Sequence, residues 1–586
     1  MSTHRRILLT PWGEDLDPDR PLPEHPRPQL RRHSYINLNG PWEYAFRISQ
    51  KEPADWDGHI IVPFSPEAPL SGVGRQLKPG ENLHYRRTLS TPEHGDTERV
   101  LLHFGAVDQW CRLRLNGRLV GEHEGGYLPF TFDITQFLHG PDGPENSLHL
   151  VVTDPTDTGV GARGKQTLRP GGIWYTAQSG IWQTVWLEVV PEAHVSALRI
   201  EPDLDRIDLT VEVTGELPGS CRVEVSSDGV LVAAGEGPPG SRISIPVADG
   251  HLWSPEDPFL YDLRIIAHDD EVRSYAGLRR FGVAPDGKGV PRLQLNGRPY
   301  FHAGVLDQGY WSDGLYTAPS DSALIHDITT MKQMGFTMLR KHIKIEPMRW
   351  YYHCDRLGML VWQDMVNGGG RYHRRVVEIP AVTPLHLRDG RYRLFARSDA
   401  AGRAQWLEEM AATIELLGNC TGLVVWVPFN EGWGQFDANE ATESIKRLDP
   451  TRLVDHASGW HDQGGGDFTS LHVYFRPFRM PRRRTSRVLA LSEYGGYSLH
   501  LDDHSVSDKE FGYRRYGSAA MLTDAFRRLH TDQILPAVGR GLAATVYTQL
   551  SDVEDETNGL LTYDRRVVKI PPDEVRAVIG RLRYST

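Results

Sequence analysis

Apolar positions in the first half of the chain recur at every second residue, in short runs cut by turn residues. Arg112-Leu113-Arg114-Leu115 followed by Asn116-Gly117 is typical: period-two alternation, then a dipeptide suited to a hairpin turn. Helical spacing is nearly absent from about 34 to 190, which predicts a β sandwich. From 191 to 284 the same pattern returns on a smaller scale, as in Asp208-Leu209-Thr210-Val211-Glu212-Val213, and fits an immunoglobulin-like sandwich. Near 290 the period changes. Residues 321–334 place Ala323, Leu324, Ile328 and Met331 on one helical face. Strand-like apolar runs follow one another at 300–305, 336–340, 359–363, 423–427, 452–455, 468–473, 488–492 and 542–547. Eight such runs separated by helix-length or loop-length segments predict a (β/α)8 barrel. The expected division is a jelly-roll domain over 1–190, an immunoglobulin-like β-sandwich over 191–284 and a TIM barrel over 285–586. Residues 10–30, rich in proline and charge, read as an extended arm. The long 365–400 stretch between the third and fourth barrel runs, with its Gly- and Arg-rich 368–375 segment, reads as an insertion near the barrel mouth.

Composition narrows the possible partners. A net charge of -11 argues against nucleic acid and against an anionic membrane surface. No run approaches the roughly 18 apolar residues of a membrane span, and the N-terminal apolar stretch Ile7-Leu8-Leu9 is too short for a secretory core. Cys111, Cys221, Cys354 and Cys420 are far apart and form no CxxC pair, so they read as buried free thiols in a reducing compartment. The expectation is a cytoplasmic protein.

The candidate chemistry lies at the ends of two buried strand runs. Gly422-Leu423-Val424-Val425-Trp426-Val427-Pro428-Phe429 stops at Asn430-Glu431-Gly432-Trp433-Gly434, and Val488-Leu489-Ala490-Leu491-Ser492 stops at Glu493-Tyr494-Gly495-Gly496. A barrel presents catalytic groups at the C-terminal ends of its strands. Two facing carboxylates are what cleavage of a glycosidic bond requires. Sequence alone does not say which glutamate does which job.

Further motifs carry a family resemblance along nearly the whole chain. Asn37-Leu38-Asn39-Gly40-Pro41-Trp42, Phe104-Gly105-Ala106-Val107, Gly125-Gly126-Tyr127-Leu128-Pro129-Phe130 and Ser179-Gly180-Ile181-Trp182-Gln183-Thr184-Val185-Trp186-Leu187 resemble the sugar-binding jelly roll of glycoside hydrolase family 2. Leu252-Trp253-Ser254-Pro255 resembles the end of that family's immunoglobulin-like domain. Met331-Lys332-Gln333-Met334-Gly335-Phe336 and Cys354-Asp355-Arg356-Leu357-Gly358-Met359 resemble its early barrel. The family comprises β-galactosidases, β-glucuronidases and β-mannosidases.

The resemblance implies Glu431 as general acid/base and Glu493 as nucleophile, with a raised pKa for Glu431 beside Trp433 and close to Glu493. It places Tyr474 against the nucleophile and Asn430 on the sugar 2-hydroxyl. Arg340 is a candidate for holding the nucleophile ionised. His342, His472, Asp307, Asp364, Trp433 and Trp460 are candidate substrate contacts, and each has an alternative as a structural residue. Departures from the family pattern bear on the sugar. Leu306-Asp307-Gln308-Gly309 replaces the Asn-Arg-His-Glu segment of typical β-galactosidases. No Glu-x-His pair precedes Glu431, so no metal or other cofactor is expected. No lysine stands near Asn558-Gly559-Leu560, where β-glucuronidases carry a carboxylate-recognition element, so a glucuronide is the least favoured common substrate. The expected function is an exo-acting retaining hydrolase of a galactoside-like or arabinoside-like small carbohydrate. The alternatives are an inactive carbohydrate-binding protein on the same scaffold and a lyase on the same barrel. Family members often self-associate, although no stretch here specifies an interface.

Overall fold

The computed structural model describes residues 6–217, 219–383, 385–481 and 485–584. Residues 1–5, the start of the expected first domain, lie outside the described residues.

Two antiparallel sheets form the first sandwich. One has six strands in the order Gly58–Val62, Gly40–Arg47, Asn82–Leu89, Asn146–Thr153, Trp110–Leu115 and Arg118–Glu124. The other has four, in the order Ile36–Asn37, Val185–Pro191, Glu98–Phe104 and Phe130–Asp133. Alternation decides which side faces inward: Cys111, Leu113 and Leu115 are buried, while the intervening Arg112 and Arg114 are half-buried. Asn116 and Gly117 both have positive φ, 52° and 76°, as the tight hairpin turn requires. Trp42, Tyr85, Phe104, Leu150 and Leu187 fill the space between the sheets.

A second sandwich packs a three-stranded sheet (His194–Pro202, Arg206–Thr214, Arg242–Pro246) on a four-stranded one (Val230–Gly237, Cys221–Ser227, Tyr261–Ala267, Asp270–Ala276). The expected boundary at 284/285 falls inside a strand. Phe281–Pro285 pairs with Pro291–Leu295, and Phe281, Leu293 and Leu295 pack with Met338, Trp362 and Val425 of the barrel strands.

The barrel strands are β1 (His302–Asp307), β2 (Met338–Lys341), β3 (Leu360–Asp364), β4 (Leu423–Val427), β5 (Leu453–Val454), β6 (Phe468–Val473), β7 (Val488–Gly495) and β8 (Leu542–Thr548). All eight overlap the predicted runs. They are parallel and hydrogen-bond in the order 5-4-3-2-1-8-7-6. Between β5 and β6 no strand ladder forms. Asp467 closes the gap: its N–H donates to Val454 O (2.8 Å) and its side chain accepts from Val454 N (2.7 Å). Helices α1 (Asp321–Gln333), α2 (Met348–Leu357), α3 (Ala400–Leu417) and α4 (Ala438–Leu448) follow β1 to β4, and α5 (Ala519–Leu529) precedes β8. Ser320 caps α1 by accepting from Ala323 N, and Asp399 caps α3 by accepting from Gly402 N.

The arm is not extended throughout. It makes one helical turn at Pro11–Glu14, capped by Thr10, and Thr10 in turn donates through its N–H and Oγ1 to Asp313 at 2.7 Å each. All four cysteines are buried and unbridged. Among the described residues no helix is long and apolar enough to cross a membrane.

Candidate active site

Both strand-end glutamates reach the same point at the barrel mouth. Glu431 lies four residues beyond β4 in left-handed backbone (φ 50°), held there because its N–H donates to Ser458 O at 2.9 Å. A non-glycine residue in this region is strained and persists only where its surroundings fix it. The turn closes tightly after it: a Cβ on Gly434 (φ 61°) would lie 2.3 Å from Gly368 O of the 365–400 insertion. That insertion therefore packs directly on the loop carrying Glu431.

Glu493 lies within β7. The β7 register shifts against both neighbours around Ser492, so that His472 pairs with Glu493 on one side and Tyr494 with Tyr547 on the other. A bulge re-aims the side chain that follows it, here towards the mouth. Glu431 is 6% and Glu493 4% exposed. One carboxylate oxygen of each and one ring nitrogen of His472 all lie within 4.8 Å of one another.

His472 bridges the pair. Its Nδ1 is 2.8 Å from Glu431 Oε1, and its Nε2 is 3.1 Å from Ser458 Oγ and 3.6 Å from Glu493 Oε1. Arg340 spends all five N–H groups: Nε and Nη2 on Asp364 (2.9 and 3.0 Å), Nη2 also on Asn430 Oδ1 (2.8 Å), and Nη1 on Ser492 O (3.0 Å) and Glu493 Oε1 (3.3 Å). Tyr474 donates to Glu493 Oε2 and stacks on Tyr513 with ring centres 3.8 Å apart.

These surroundings separate the two carboxyls. Burial raises Glu431, the nearby Glu493 adds to the rise, and the His472 hydrogen bond opposes it. Burial would also raise Glu493. The neighbouring His472 imidazole, the Arg340 guanidinium, His342 and the Tyr474 hydroxyl outweigh burial and hold it below the ordinary carboxylate value. One group is set to carry a proton and the other to be ionised.

The remaining candidates divide into those aimed at the mouth and those bound elsewhere. Asn430 accepts from Arg340 through Oδ1 and keeps a buried Nδ2 with no partner. His342 Nδ1 is 2.6 Å from Asp364, and burial lowers its pKa well below the usual imidazole value. Asp364 is thus bound by Arg340 and His342. Asp307 is bound by Lys341 (2.7 Å) and Gly309 N (2.9 Å). Trp433 packs 5.8 Å from His342, and Trp460 lies 6.4 Å from His472 at the half-exposed rim. Asn558, at the position compared with the β-glucuronidase element, accepts from Gln549 (2.8 Å) and donates to Glu556 (2.9 Å). Among the described residues, Glu431, His472 and Glu493 are the set with spacing for a metal ion.

That the first sandwich helps shape a pocket is expected from the sequence; sequence reasoning missed the residues by which it does so. Its 161–165 turn crosses to the barrel, where Arg163 N and Gly164 N donate to Asn367 O at 2.9 and 3.1 Å. Lys165 then lies with its Nζ 5.6 Å from the centre of the Trp433 ring. Trp174 packs against Trp433 (5.3 Å) and Tyr372 of the insertion (5.8 Å), forming an aromatic rim from three separate segments. The four glycines of 161–174 and Trp174 were the available signal.

Comparison with known proteins agrees with this architecture. Residues 76–179 match the glycosyl hydrolase 2 galactose-binding domain-like family and residues 292–480 the glycosyl hydrolases family 2 TIM barrel domain. A β-galactosidase of Leuconostoc mesenteroides is 26% identical over 559 residues, covering 86% of this chain and 51% of that protein. One of Halalkalibacterium halodurans is 24% identical over 494 residues, covering 74% and 44%. The chain thus spans about half the length of the curated relatives it matches. The solved structure of a β-D-glucuronidase from Dictyoglomus thermophilum superposes with a TM-score of 0.73 at 17% identity, over 95% of this chain and 98% of that one. The chain belongs to glycoside hydrolase family 2.

Proposed function

We propose that the protein is an exo-acting, retaining glycoside hydrolase, with Glu493 as nucleophile and Glu431 as acid/base. The observation that carries this reading is the pair of buried carboxyl groups, with oxygens within 4.8 Å and oppositely shifted pKa values. Retaining enzymes place their carboxyls about 5 Å apart, whereas inverting ones leave room for a water between them. In the first step Glu493 attacks the anomeric carbon while Glu431 protonates the departing glycosidic oxygen. Loss of the Glu493 charge in the glycosyl-enzyme removes one cause of the raised Glu431 pKa, so Glu431 then serves as base towards water. The water attacks the same carbon and releases both the sugar and Glu493.

Asn430 Nδ2, buried and unpartnered, is placed to meet a sugar hydroxyl as charge develops. Burial of both glutamates, with the first sandwich and the insertion closing the mouth, favours a pocket for one terminal sugar. The relatives named β-galactosidase favour a galacto-like sugar, and an arabinoside shares most of its hydroxyl arrangement. The substrate partner is a small glycoside.

Nitrophenol release from a panel of nitrophenyl glycosides tests the reading, with Glu493→Gln as control. The expected outcome is release of one sugar with retained anomeric configuration, reduced by about 10³-fold or more in the variant. Inverted product, or normal turnover by the variant, overturns it. Sugar binding without turnover by the wild type points instead to an inactive carbohydrate-binding protein.

A further inference from the structure

Lys165 stands apart from every other buried cation in the molecule. It is 5% exposed, yet among the described residues it is the one buried lysine or arginine whose side chain makes neither a hydrogen bond nor an ion pair. The other buried lysines each hold a carboxylate: Lys341 has Asp307 and Glu346, Lys344 has Glu346, and Lys569 has Asp552. Lys165 has only two aromatic faces, Tyr175 at 5.3 Å and Trp433 at 5.6 Å. The stem of the side chain is buried while its Nζ keeps access to the open mouth of the site, so the ammonium is available to a ligand.

None of the neighbouring carboxyls is bonded to it, and each has other partners. Lys165 is close enough to act electrostatically on Glu431, His342 and Asp364. Asp364 is bound by Arg340 and His342, Glu431 by His472, and Glu493 by Tyr474 and Arg340. The lysine is also fixed in place. Besides the bonds to Asn367 O, the Arg163 guanidinium binds the carbonyls of Gly369 and Gly370. Gly164 (φ 60°) has no room for a Cβ, which would lie 2.8 Å from Ile343 O and 2.9 Å from Tyr316 OH. A donor preset in this way and left empty is the arrangement of a recognition site.

We infer that Lys165 is a specificity-determining residue that pairs with a carboxylate of the glycoside, carried either on the terminal sugar ring or on the group to which that sugar is linked. The inference rests on the glycosidase reading and adds a substrate class to it: acidic glycosides, recognised by a lysine of the first sandwich.

The test compares wild type, Lys165→Met and Lys165→Arg on three substrates: nitrophenyl β-galacturonide, nitrophenyl β-galactoside, and a galactoside with a carboxylated aryl leaving group. One of the two acidic substrates should be preferred. Lys165→Met should lower kcat/KM on that substrate by about 10²-fold and on the neutral one by less than about fivefold, with Lys165→Arg recovering part of the loss. Which acidic substrate responds locates the carboxylate on the ring or on the leaving group. A neutral substrate turned over best, with equal losses on all three in Lys165→Met, overturns the inference but leaves the glycosidase reading intact. Calorimetric binding of free galacturonate and of galactose to wild type and Lys165→Met reads the same contrast without turnover. Equal binding of acid and neutral sugar by wild type, with no acidic substrate preferred, overturns the inference even if no catalysis is found. An unchanged unfolding temperature in Lys165→Met shows that any loss is not one of folding.

Discussion

The two sandwiches meet opposite ends of the barrel, and what each leaves unsatisfied differs. The second sandwich docks at the end where the strands begin. Trp253 Nε1 donates to Asp355 O (2.7 Å), Tyr275 OH to Asp355 Oδ2 (2.8 Å), and Arg279 Nε to Thr421 O (3.0 Å), and these groups have their partners within the joint. The first sandwich reaches the end where the strands finish. It delivers Lys165 without a partner and Trp174 half-exposed. The strand-start face of such a barrel serves stability and the strand-end face serves chemistry. Completed polar contacts mark the buttress, and an incomplete one marks the contribution to the site.

Four perturbations sharpen or break that contrast. The largest effect is expected at the buttress. Asp355 accepts from Gly422 N (2.6 Å), Thr421 N (3.0 Å) and Tyr275 OH, and Asp355→Ala leaves three buried donors without an acceptor. Urea unfolding should show a loss of about 3–5 kcal/mol, with kcat of the folded protein unchanged within about twofold. A fall in kcat at unchanged stability would erase the distinction between the two ends.

Gly164→Ala forces the 161–165 turn off the barrel. Because displacement of about 1 Å in a positioned group is costly, kcat/KM should drop roughly 10²-fold, with a smaller change in urea midpoint than for Asp355→Ala. A stability loss as large as that of Asp355→Ala would make the turn a second buttress. Smaller still is Trp174→Ala, which removes one face of the aromatic rim. KM for aryl glycosides should rise about fivefold while alkyl glycosides change little. Equal effects on both would place Trp174 outside the leaving-group path.

The smallest effect is on pH dependence. In the proposed mechanism Glu493 is ionised and Glu431 protonated, so protonation of the lowered Glu493 sets the acid limb and ionisation of the raised Glu431 sets the alkaline limb. The Lys165 charge favours the ionised form of Glu431. Its removal in Lys165→Met should raise that pKa and move the alkaline limb on a neutral substrate to higher pH. A shift in the opposite direction would show that the lysine charge does not reach Glu431.

The barrel was legible because its strands are buried on both faces, so β4 and β7 stand out as apolar runs and their glutamates as interruptions. Local pattern could not tell which polar residues serve each other. Asp307 and Asp364 both follow strand ends and read alike in sequence, yet one binds Lys341 and the other orients Arg340 and His342. Lys165 was overlooked for a related reason. Gly161-Ala162-Arg163-Gly164-Lys165 has the composition of an exposed basic turn, and only contact with a domain some 200 residues later in the chain buries it, as the Arg163–Gly369 bond shows. The strand pair around 285 was split because the chain passes from sandwich to barrel without a linker, through a hairpin that packs beneath the strands.

The arm before the first sandwich has a consequence for the order in which the molecule is made. Its early residues are held by Asp313, 303 positions beyond Thr10, by Val506, which accepts from Arg6 N, and by Arg566, which pairs with Glu14. At ribosomal speeds of about 5–20 residues per second, the wait between Thr10 and Asp313 alone is roughly 15–60 s. A segment made well before the barrel is therefore among the last to dock, sealing the assembly once the barrel beneath it exists.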